Sequence, residues 1–101
     1  MIICSKHEGN GTYREFVLDD RDLGDKIAVK THIAHRTGDI TLADDWRDAG
    51  VITRSRQGLE AAVINHGLRG KFVKLDRLFS NEIAALQAIA LHYEAEPALA
   101  H

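Results

Sequence analysis

Thr41-Leu42-Ala43-Asp44-Asp45-Trp46-Arg47-Asp48-Ala49-Gly50, followed by Val51-Ile52-Thr53-Arg54-Ser55-Arg56-Gln57-Gly58-Leu59, is the stretch whose reading decides the fold. Thr41 with an acid three positions on approximates a helix N-cap, although the full capping box has Glu or Gln there. A short helix over 42–49 then places Trp46 on its buried stripe, and Gly50 can end it in a left-handed conformation. Thr53 or Ser55 can cap a second helix over about 55–66, with Leu59, Ala62, Val63 and His66 at helical spacing and Gly67 as its stop. On this reading Asp44 and Asp45 sit at a helix N-terminus, where negative charge is favourable.

Two helices joined by Gly50-Val51, the second opening with Arg54-Ser55-Arg56-Gln57, look somewhat like a helix-turn-helix. Such motifs place side chains at the start of the recognition helix against bases and phosphates. The likeness fails at two points. Trp46 stands where close packing before the turn calls for a small residue, and Arg56 stands where an apolar residue should seat the second helix. A plain αα-hairpin with a solvated basic end is the simpler reading.

Outward from this segment the pattern turns to strands. From 26 to 34, Ile27, Val29, Thr31 and Ile33 share one face while Lys30 and His32 take the other. Residues 2–6 and 12–18 read as a hairpin around Glu8-Gly9-Asn10-Gly11, whose glycines and asparagine tolerate the backbone of a tight turn. On the far side, 71–75 is a short strand, placed at an edge by its lysines. Ser80 caps a last helix over about 81–94, with Ile83, Leu86, Ile89, Ala90 and Tyr93 on its apolar side and Pro97 beyond its end. The expected fold is therefore α+β: a three- to four-stranded antiparallel sheet packed by two or three helices, in one domain spanning 1–101. The expected core is Ile3, Phe16, Leu18, Ile27, Val29, Ile33, Trp46, Leu59, Val63, Phe72, Leu75, Ile83, Leu86 and Ile89.

Composition bounds the function. With 45% hydrophobic and 28% charged residues the chain has the make-up of a globular domain rather than a disordered one. At 101 residues it holds one core of marginal size, and a single cysteine, Cys4, excludes an intramolecular disulfide. No apolar run approaches the ~20 residues that cross a bilayer, so a reducing cytoplasm is the expected setting and no membrane partner is expected. The net charge of −2 argues against general nucleic-acid affinity, yet residues 52–77 carry +4 between flanks of −3 each.

Candidate chemistry is sparse. His32 and His35 fall on opposite faces of a strand, and no Cys pair or His-Glu-x-x-His pattern organises the six histidines into a metal site. Cys4 has His7 nearby, but an apolar run suits a buried thiol better than a thiolate nucleophile. The Gly9-Asn10-Gly11 loop lacks the Lys-Ser/Thr and helix start of a phosphate cradle, and neither acidic cluster has EF-hand spacing. No catalytic residue, metal or cofactor is therefore expected. The alanines of the last helix permit close approach of a second copy, or of the protein's own sheet.

Three functions are ranked on these residues. The first is a non-enzymatic regulator or inhibitor of another protein or protein–nucleic-acid assembly, of the size typical of phage and mobile-element accessory proteins. It would use the acidic residues Asp19, Asp20, Asp22, Asp44, Asp45 and Asp48, because complementary charge steers encounter with a basic groove. The second is a DNA-binding regulator using Arg54, Arg56, Gln57, Arg69 and Lys71. The third is a small enzyme built on His32, His35 or Cys4.

Overall fold

The computed structural model describes residues 4–19, 24–65, 71–93 and 96–97. These form one antiparallel sheet and a single helix. Six principal strands run in the order β7-β6-β5-β3-β2-β1: β1 (Cys4–Gly9), β2 (Thr12–Leu18), β3 (Lys26–Thr37), β5 (Arg47–Ser55), β6 (Gly58–Asn65) and β7 (Lys71–Phe79). Two short strands are added: β4 (Ile40–Ala43) pairs with the far end of β3, and β8 (Glu96–Pro97) lies beside β1. The helix, α1 (Glu82–His92), packs on one face.

The two central helices expected over 42–49 and 55–66 are absent; that segment is β4, a short link, β5 and β6. The sheet also exceeds the three or four strands expected. Three local features decide the matter. Val51-Ile52-Thr53 is a β-branched run, which packs well on a pleated surface and loses rotamer freedom in a helix. Leu59, Ala61 and Val63 alternate inward around Glu60 and Ala62, so period two fits the stretch as well as the helical spacing does. Arg56 and Gln57 form a two-residue turn, with Ser55 paired to Gly58, and Gly58 takes a φ of +139° that other residues avoid.

Gly50, the expected helix stop, has a different task. A Cβ there would stand 2.4 Å from the Ala62 carbonyl oxygen and 3.1 Å from the Ile89 side chain, so its bareness lets α1 settle on the sheet.

The core lies between the sheet and α1. Phe16, Val29, Ile52, Val63, Leu86 and Ile89 are its largest fully buried side chains, with Phe79 and the alanines 49, 61, 85 and 90 around them. The small residues of α1 thus face the molecule's own sheet. Three expected core members are instead exposed: Trp46, Phe72 and Ile83. Ile3 lies outside the described residues. Asn81, not Ser80, caps α1, accepting a hydrogen bond from the Ala84 amide at 2.8 Å. At the other end the Tyr93 hydroxyl shares its proton between the Ala49 and Ile64 carbonyls, both at 3.1 Å, pinning the helix across β5 and β6.

An eleven-residue helix is about 16 Å long, whereas the twelve residues of β3 extend roughly 40 Å. One helix cannot cover such a strand. Beyond Ala34 the helix no longer covers the core-side face of β3 and β4, although β2 still flanks β3 there through the Thr12–His35 pair and the bond from the Arg36 amide to the Gly11 carbonyl. This uncovered end of the sheet, 35–43, is the arm.

Candidate protein-binding arm

The arm is built by a tight turn and a broken strand. Gly38 takes a positive φ of +59° and closes the hairpin between Thr37 and Ile40. β4 and β5 then follow one another along the same side of β3, β4 pairing with 34–37 and β5 with 26–31. Between them the chain spends Asp44, Asp45 and Trp46 against Ile33 and His32, one residue too many for a regular ladder. Asp44 repairs the gap. Its amide donates to the Ile33 carbonyl at 3.0 Å, and its Oδ1 accepts from the Ile33 amide at 2.6 Å. Trp46 folds over His32, their rings stacked 3.5 Å apart at 12°. His32 Nε2 in turn meets Glu15 Oε1 at 3.0 Å, while Nδ1 is buried without a partner.

Every residue from His35 to Asp48 is exposed. Ile40 is 64% exposed and Leu42 67%, both on the face that continues the core beyond α1. Around them the segment 34–48 carries Asp39, Asp44, Asp45 and Asp48 against Arg36 and Arg47, a net charge of −2. Asp48 is paired with Lys30 at 2.5 Å, and Asp44 serves the Ile33 amide, so Asp39 and Asp45 are the acids with open surroundings.

The expected acidic set is therefore divided. Asp44, Asp45 and Asp48 belong to the link at the root of the arm. Asp19 leaves β2 beside Ala28, five residues back along β3 from Ile33, or roughly 17 Å. Asp20 and Asp22 lie outside the described residues.

The basic set does not gather either. With strands and no helix over 42–65, the helix-turn-helix geometry has no basis in the structure. Arg54 donates to the Gly24 carbonyl at 3.0 Å and to Glu82 Oε1 at 3.1 Å, and so ties a loop to the helix start. Arg56 and Gln57 form the β5–β6 turn, and Lys71 begins β7 at the opposite end of the ladder, beside Asn65. Arg69 lies outside the described residues.

The enzyme candidates are likewise apart. His35 faces away from His32, its Nδ1 within 2.9 Å of the Thr12 hydroxyl, and Cys4 is placed on β1 opposite Phe16. Among the described residues no three His, Cys, Asp or Glu side chains gather to hold a metal, and no helix is long and apolar enough to cross a membrane. A surface groove of about 810 Å³ lies between the β5–β6 turn and the start of α1. Neither histidine nor cysteine lines it, and the Arg54–Glu82 pair forms part of its wall.

Sequence reasoning singled out the acids but missed Ile40 and Leu42. Their alternation across Thr41, just past a glycine turn, is the signal that could have found them. Compared with known proteins, the chain matches no family model, no curated protein and no solved structure.

Proposed function

We propose that this chain is a non-enzymatic protein-binding module, a small regulator or inhibitor that grips a basic partner with the β3–β4 arm. The observation that carries the reading is the exposure of Ile40 and Leu42 on a strand that no other part of the described molecule covers. Isolated surface apolar residues need no explanation, but two side by side on an edge strand, on the face that the helix leaves uncovered, suit the centre of a contact. Asp39 and Asp45 supply the polar rim and favour a partner of opposite charge. Extended segments of this kind bind by offering side-chain knobs and a strand edge together.

A photoreactive phenylalanine analogue at position 42 tests this in cells that encode the chain. It should give a discrete adduct with another polypeptide, reduced by Ile40→Glu and by Asp45→Lys. The same probe at position 56, on the remote turn, should give none. Equal labelling from both positions, or none from the arm, sinks the reading.

A further inference from the structure

β7 ends the sheet, since among the described residues it pairs with β6 alone. A free edge invites pairing, and proteins usually guard it with charge, a bulge or both. Here both devices are present. Between the Glu60–Leu78 and Ala62–Lys74 pairs, β7 spends Leu75, Asp76 and Arg77 opposite Ala61 alone, so this stretch swings away from β6. The strand is also apolar for an edge, with Phe72 56%, Val73 37% and Leu78 46% exposed.

The order of its side chains is the informative part. Phe72, Lys74 and Leu78 pair with the row Ile64, Ala62 and Glu60, which points away from α1, whereas Phe79 is buried in the core. Strand alternation adds Asp76 to the first row. That row reads apolar, positive, negative, apolar. Turned end for end and laid against itself, it is complementary at every position.

We propose that β7 pairs antiparallel with β7 of a second copy, about a two-fold axis through Leu75. In that register Lys74 faces Asp76 of the second copy and Asp76 faces its Lys74. Phe72 meets Leu78 at each end. On the opposite face Val73 meets Arg77, and no like charges stand directly across from one another. The incoming strand meets the outward-facing amides and carbonyls of 72–78, which face no other described strand. The charges that repel an arbitrary strand attract this one, which is how specificity is obtained at an edge. Lys74 already lies 3.3 Å from Glu60 in the same chain, so the second copy would place it between two carboxylates. Such an interface is isologous and closed, giving a dimer and not a fibre.

Sedimentation velocity on the intact chain tests the register by charge exchange. The wild type should sediment as a concentration-dependent dimer. Lys74→Asp alone, and Asp76→Lys alone, should each raise the dissociation constant about tenfold or more, because two attractive pairs become repulsive. An equimolar mixture of the two variants should recover tight association, since every facing pair is again opposite in sign. Circular dichroism confirms that each variant keeps its sheet. Hydrogen exchange of the wild type supplies an arm free of mutation, in which the amides of 75–77 should slow as the concentration rises. A wild type that stays monomeric overturns the proposal. So do single variants that associate as well as it does, a mixture no tighter than its components, or exchange at 75–77 that ignores concentration.

Discussion

At the scale of single residues, two contacts hold the helix in its place. Tyr93 is the first. Burial pushes its phenol above the ordinary value of 10.0, against a smaller opposing pull from the Arg14 cation. Tyr93→Phe leaves the Ala49 and Ile64 carbonyls without this donor and should cost about 1–2 kcal/mol in urea denaturation. The raised value also sets a direction with pH. The unfolded chain gives up its phenolic proton first, so this share of stability is complete below the ordinary value and is lost as the pH climbs through the folded one. Alkaline denaturation should therefore begin at lower pH in the wild type than the Tyr93→Phe chain would show relative to its own neutral stability. Gly50 is the second contact. Gly50→Ala forces a methyl against the Ala62 carbonyl and Ile89, and about 1–3 kcal/mol of destabilisation should appear as a lower melting temperature.

At the scale of elements, the β3 alternation was legible from its period and the N-terminal hairpin from its Gly9-Asn10-Gly11 turn. The last helix was legible from its alanine-rich apolar run and Pro97 rather than from a clean stripe, since Ile83 and Leu91 are exposed. The centre was not. Ala61 and Ala62 are adjacent and both apolar, so the stretch satisfies a helical stripe and a strand face alike. Thr41–Ala49 has no steady period because it is a strand broken by the Asp44–Trp46 link, and caps can be read into its Thr and Asp residues. Gly50 resembled a helix terminator because a glycine needed for close approach looks the same in one dimension as one needed for a turn. For the candidate site, the acids stood out as charge, while Ile40 and Leu42 passed unnoticed because their exposure depends on where α1 ends. Asn81→Ala should lower stability by about 1 kcal/mol through loss of the cap, measured by denaturant titration, whereas Ser80→Ala should change it by less than about 0.5 kcal/mol. Ile40→Thr keeps a β-branched residue on β4. It should leave the melting curve nearly unmoved while abolishing crosslinking from the probe at position 42.

At the scale of the whole molecule, one face of the sheet carries the core and, among the described residues, a single helix closes it. Leu86 and Ile89 are both fully buried, and Leu86→Ala should cost about 2–5 kcal/mol, a large share of what a domain this small possesses. The order of the chain adds a consequence in time. Every principal strand is made before α1, so during synthesis Phe16, Val29, Ile52 and Val63 emerge from the ribosome while the segment that will shelter them is still inside the exit tunnel. Nascent chains ending at residue 79 and followed by a polar tether long enough to span the tunnel should accordingly recruit a ribosome-associated chaperone and be cleaved quickly by added protease. Chains carried through Tyr93 ahead of the same tether should resist both, which makes the release of this helix the moment at which the newborn protein becomes safe from its neighbours.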